Sequence, residues 1–169
     1  MGLGMSYLRV PPELDGEHDP ARIARRVFGD PAWRGRPPGE LLDLGGAWQA
    51  LHYLITGDPW DGPEPGCDVV CGGRLLTEDG SEELGADVIY LAPDRVKLCA
   101  DHLAGTPFRA VAARFDPAAM VNAGVQDAGH LDLRARDRVL EPAYTALTRL
   151  FAAAATEGQP IYKTMSETP

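Results

Sequence analysis

His52 is the first residue in the 169-residue chain whose type and setting could support chemistry. Histidine titrates near neutral pH and can act as general base, ligand or switch. Trp48, Leu51, His52 and Ile55 fall at i, i+3, i+4 and i+7, which is one apolar face of a helix. A histidine hydrogen-bonded at the margin of the core is therefore the simpler reading, and a ligand residue the alternative. Arg114 and Asp116 flank Phe115 ahead of Pro117. Asp before Pro caps a helix, which accounts for Asp116; Arg114 either packs along its stem beside a carboxylate or clamps an anion. With Tyr7, Arg9 and Trp48 these residues could line a small cleft for an anionic ligand or a hydrolase-like reaction, provided His52 is accessible and Arg114 unpaired.

Cys67, Cys71, Cys99 and His102 are a legitimate donor set for tetrahedral zinc. Cys71 and Cys99, however, sit in apolar surroundings where free thiols are packing, so no metal is expected. Gly72-Gly73-Arg74 lacks the following helix and glycine spacing of a phosphate loop and reads as a tight turn or close backbone approach. Ser6, Ser81 and Ser166 stand in no nucleophile-elbow context, and no nucleophile–base pair can be assigned. No cofactor is implied, and the balance leans away from an enzyme.

Charge supplies a different clue. Net charge is −9, from 16 basic and 25 acidic residues. Between Asp58 and Asp87 stand Asp58, Asp61, Glu64, Asp68, Glu78, Asp79, Glu82, Glu83 and Asp87 against Arg74 alone. A solvated loop is the usual meaning of such a run, but with Trp60 inside it the stretch could also steer a basic protein partner. Trp60, Glu78, Asp79, Glu82 and Glu83 are the candidate contact residues, and Trp33 lies in a second proline-rich loop. Nucleic acid is a poor partner for an acidic chain, and the longest apolar run, Leu150 to Ala155, is too short to cross a membrane. Three cysteines form no closed disulfide framework, and Met1 to Val10 shows no basic patch followed by an apolar core. Neither a secretory signal nor an oxidising compartment is therefore expected, and the location expected is cytoplasmic.

The elements that must position these groups follow from cap residues and periodicity. Ser6 to Val10 reads as a short strand, and Asp19-Pro20 opens a helix ending near Phe28. A second helix runs from Ala47 to Thr56 and stops at Gly57. Val69 to Cys71 and Asp87 to Leu91 read as buried strands. Pro93 opens a helix to Gly105, Thr106-Pro107 and Asp116-Pro117 open two short ones, and a long helix begins near Pro142 and ends at Gly158. Pro160 to Met165 alternates as a last strand. The order predicts one α/β domain over residues 1–169, with a mixed sheet covered by helices on its faces.

The residues also resemble a family. Met5-Ser6-Tyr7 with Arg9-Val10, Leu42-Asp43-Leu44 before Ala47-Trp48, Leu51-His52 and Thr56-Gly57 carry the likeness. So do Gly72-Gly73, Tyr90-Leu91 before Pro93, and Arg114-Phe115-Asp116-Pro117 with Met120 and Gly124. Together they resemble the YfbM-like family, domain of unknown function 1877, along most of the chain. The resemblance implies a three-layer α/β fold in a small bacterial cytosolic protein, and no activity. It also implies an aromatic residue after Gly124-Val125, where this chain has Gln126 and Asp127. The function expected is that of a non-enzymatic protein-binding module, such as an inhibitor or immunity-type partner. The alternative is the small-molecule cleft around Trp48, His52 and Arg114.

Overall fold

The two ends of the chain meet in the middle of one sheet. In the computed structural model, which describes residues 2–11, 13–14, 16–77 and 84–168, strand β1 (Leu3–Leu8) pairs antiparallel with β5 (Ile161–Glu167). Leu3 stands opposite Glu167 and Leu8 opposite Tyr162. Outside them lie β2 (Leu41–Gly45) beside β1, then β4 (Asp87–Leu91) and the short β3 (Arg74–Leu75) beside β5, giving the order β2-β1-β5-β4-β3. Every neighbouring pair is antiparallel, so the sheet is not the mixed one expected. The helical stretches between strands serve as long returns rather than as βαβ crossovers, and neither the returns nor the pairing of the two termini leaves a local trace in the sequence.

Alternation along the strands sorts side chains into two cores. Met5 and Tyr7 of β1 and Ile161 of β5 face the larger core. It is built from α2 (Trp48–Thr56), α4 (Pro93–Gly105), α5 (Phe108–Ala112), α6 (Pro117–Asn122) and α8 (Glu141–Thr156). Leu8, Val88 and Tyr162 face the smaller core, covered by Ala24, Val27 and Phe28 of α1 (Pro20–Phe28). Helices thus lie on both faces, the three-layer arrangement.

Several elements lie where their caps place them. Asp19 accepts from Arg22 N and Asp116 from Ala119 N, each ahead of a proline in the first turn. Gly57, with φ of 83°, closes α2. The stretch read as a strand at Val69 to Cys71 instead belongs to α3 (Gly66–Val69) and the turn after it. Its carbonyls have no neighbouring strand; they are taken by two side chains rising from the sheet. Tyr7 Oη donates to Val69 O at 2.8 Å. Lys163 Nζ donates to the carbonyls of Asp68, Val70 and Gly72 at 2.6, 2.8 and 2.8 Å. An ammonium has three tetrahedral donors, and here each has an acceptor. Gly72 must be glycine, since a Cβ there would sit 2.8 Å from the Asp68 Cα. The Gly72-Gly73 pair is a close backbone approach.

Ahead of α8, Leu133–Ala135 forms a single helical turn, α7, followed by a π-helical stretch over Arg136–Leu140. Pro142 stands just after this π-helical stretch, where the hydrogen-bond pattern changes from i→i−5 to i→i−4 within one continuous helical run.

Candidate functional site

Of the residues singled out for a small-molecule cleft, Trp48 and His52 lie on α2 and Arg114 reaches its last turn, while Tyr7 and Arg9 are engaged elsewhere. Trp48 is buried and donates its indole N–H to Leu3 O at 2.8 Å. Tyr7 is buried beneath α3. Arg9 donates through Nε to Gly39 O at 2.6 Å and through a terminal nitrogen to Gln159 Oε1 at 2.8 Å. Arg114 donates to the carbonyls of Leu54 and Ile55 at 2.8 and 3.2 Å, and so satisfies the last turn of α2. Asp116 caps its own helix. His52 has no exposed surface. The two conditions set for that cleft, an accessible His52 and an unpaired Arg114, are not met. The physical reason is that both side chains serve the ends and flanks of α2.

What His52 does instead is hold a loop. Its Nε2–H donates to Asp61 O at 2.8 Å, which fixes the tautomer, and its Nδ1 is buried without a partner among the described residues. Burial pushes its pKa below the ordinary histidine value, so the ring is neutral near pH 7. Gln49, one turn earlier, donates through Nε2 to Pro59 O at 3.3 Å. Thr56, one turn later, accepts from Asp58 N at 3.1 Å. Gln49, His52 and Thr56 stand at i, i+3 and i+7, a polar seam down an otherwise apolar helix, and all three grip the segment 58–61. Within that segment Asp58 Oδ1 accepts from Trp60 N and Asp61 N, both at 2.8 Å. These two amides, Asp61 N first, hold the Asp58 carboxyl below its ordinary pKa, so it is an anion. Gly62, with φ of 141°, passes so close to Thr56 that a Cβ there would stand 2.8 Å from Thr56 Cγ2.

The product of this clasp is the pose of Trp60. Its ring tilts against buried Trp48 at a centroid distance of 5.2 Å and an interplanar angle of 57°, while half of the residue, 50%, stays in solvent. The acidic run around it divides on inspection. Asp61 and Glu64 are exposed, whereas Asp68 is buried against Arg95, which also pairs with Glu64 at 2.9 Å. Glu78, Asp79, Glu82 and Glu83 lie outside the described residues.

Sequence reasoning missed Gln49, Thr56, Gln126 and Lys163. The spacing of Gln49, His52 and Thr56 was a usable signal, since a polar residue every turn within an apolar stripe implies a shared acceptor. Gln126, in place of the aromatic that the resemblance implies, clamps the start of β1. Its Oε1 accepts from Leu3 N at 2.7 Å, its Nε2 donates to Leu3 O at 2.9 Å, and its own N–H donates to Gln49 Oε1 at 2.7 Å. The four zinc candidates do not converge: Cys99 donates its thiol to Pro65 O, and no cluster of three or more His, Cys, Asp or Glu among the described residues is arranged to hold a metal ion. No described helix is long and apolar enough to cross a membrane.

Comparison with known proteins agrees with this architecture. The crystal structure of YfbM from Escherichia coli, a protein of unknown function, superposes with a TM-score of 0.63 at 12% sequence identity, covering 96% of this chain and 99% of that one. At such identity the likeness speaks for the fold alone. No curated protein matches the sequence. The model of the family described as a domain of unknown function, DUF1877, matches residues 1–163, and the chain belongs to that family.

Proposed function

We propose that this protein is a non-enzymatic binding module that docks a basic protein partner through the Trp60 loop, in the manner of an inhibitor or immunity-type protein. The observation that carries this reading is a half-exposed tryptophan fixed in place by three buried or half-buried polar residues of one helix. A loop held before binding loses little entropy on binding, and a rigid Trp is the residue type that dominates interface energetics. Asp58 beside it is an anion, Asp61 is exposed, and the chain carries a net charge of −9, so the complementary surface is cationic. The engagement of Arg114 and His52 within the fold supports a surface role over a catalytic one.

The test is capture of partners from a cell lysate at low salt, comparing wild type with Trp60→Ala and Asp61→Arg. The side chain of Asp61 is not what His52 holds, so the charge reversal leaves the clasp intact. Trp60→Ala is expected to weaken binding by about 2 kcal/mol, roughly 30-fold. Asp61→Arg should weaken it further at low salt than at high salt. Leu133→Ala removes an exposed leucine from a different element and should leave binding unchanged. Capture that survives both loop variants would rule this surface out.

A further inference from the structure

The sheet face opposite α2 carries a cavity of about 460 Å³ that the Trp60 reading does not use. Its floor is a row of polar side chains running across three strands. Ser6 of β1 pairs with Asp43 of β2 on one side and with Thr164 of β5 on the other, and Ser166 follows on the same face of β5, opposite Gly4. Residues of this parity belong to the face on which Leu8 and Tyr162 meet α1, so an apolar layer is expected throughout. Instead the apolar cover stops at Phe28 and hydroxyls take over.

The wall is Trp33, in the 3₁₀ turn Pro31–Gly35. Its ring meets Phe28 edge-on at 5.0 Å, and the Arg34 guanidinium lies over it at 4.7 Å. The indole Nε1–H is buried with no acceptor among the described residues. That N–H is enclosed by protein rather than open to the cavity, so it reports on the wall and is not itself a ligand contact. Across the cavity, Asp43 Oδ1 already accepts from Gly45 N at 2.8 Å and lies 3.3 Å from Ser6 Oγ, while its other oxygen makes no hydrogen bond to the described residues.

We propose that this cavity binds a small, neutral, polyhydroxylated molecule of the monosaccharide class. A hydroxyl both donates and accepts, so one molecule can donate to the free oxygen of the Asp43 carboxylate and exchange hydrogen bonds with the Ser6, Thr164 and Ser166 hydroxyls, against the Trp33 wall. The serine and threonine hydroxyls of the floor adapt to either role. An anion is disfavoured, because Asp43 and Glu167 line the cavity against Arg34. An apolar ligand would strand the floor hydroxyls. The volume falls within the range of small-molecule sites.

The experiment follows the tryptophan indole resonances in ¹H–¹⁵N spectra during separate titrations with D-ribose, D-glucose and myo-inositol, with sodium acetate as the anionic control. The Trp33 peak is assigned by its loss in Trp33→Phe. The expected result is a saturable shift of that peak with at least one of the three polyols. The Trp48 peak, bonded to Leu3 O, should stay in place. Asp43→Asn keeps an oxygen for the Gly45 N–H and should weaken the titration about tenfold or more while leaving the thermal midpoint near wild type. Thr164→Val provides a second variant on the floor with the same expectation. No Trp33 shift with any polyol, a shift with acetate alone, or a titration unchanged in Asp43→Asn would each overturn the proposal.

Discussion

His52 joins burial, tautomer and loop geometry in one side chain. Its Nε2–H serves Asp61 O, and its Nδ1 is enclosed without a partner, so protonation would add a second donor with nothing to receive it. The unfolded chain takes up this proton at the ordinary histidine value near 6.5, and the folded chain only at a lower pH. Stability is therefore fully present above about pH 6.5 and falls as pH drops below it, by at most about 1.4 kcal/mol per unit for one proton. Urea midpoints at pH 7.5 and 5.5 should differ in wild type, and His52→Gln should shrink that difference. His52→Ala should cost roughly 2–4 kcal/mol at neutral pH, from a cavity and a released loop. The position of His52 on an apolar face was legible in the sequence. Its acceptor was not, because that acceptor is a backbone carbonyl nine residues ahead whose direction only the loop decides.

At the scale of elements, α3 shows what a buried lysine can organise. Lys163 stands on the central strand with no exposed surface and gathers three carbonyls of the α3 turn, while Tyr7 takes a fourth. Arginine outnumbers lysine fourteen to two in this chain, yet the interior position is a lysine. A compact ammonium with tetrahedral donors suits three converging carbonyls better than a planar guanidinium fork. Lys163→Met should leave those carbonyls without donors and cost about 3 kcal/mol or more, read as a lowered urea midpoint; Lys163→Arg should not restore it. This contact also explains which elements the sequence revealed. α1, α2, α4 and β4 are locally determined by caps and periodicity and lie within a residue of their expected limits. The apolar run at Val69 to Cys71 fits a strand as well as a helix, and β2 is a half-exposed edge strand that ends in glycines. Contacts more than 90 residues apart decided the former.

Over the whole molecule, the pairing of the first and last strands was beyond local inference, and so was the antiparallel sense of the sheet. Buried titratable groups tie this architecture to alkaline pH. Burial pushes the Cys71 and Cys99 thiols up to about 12 and the Lys163 ammonium down to about 8. Between about pH 8 and 9 the folded chain gives up the Lys163 proton while the unfolded chain keeps it, so stability rises slightly. Above about pH 9 the unfolded chain forms two thiolates that the folded chain does not. Cys67 and the buried tyrosines, whose pKa values burial also raises, add to the same side, so these groups together outweigh the one lysine and stability falls. Urea denaturation at pH 9 and 10 should show the decline, and a Cys71→Ala, Cys99→Ala double variant should make it shallower.

Docking through Trp60 requires that the loop be still before any partner arrives, and backbone ¹⁵N order parameters for Asp58, Trp60 and Asp61 read that directly. In the wild type they should match the body of α2, near about 0.85, and in His52→Ala they should fall below about 0.6. Values already below about 0.6 in the wild type would contradict a pre-formed tryptophan face.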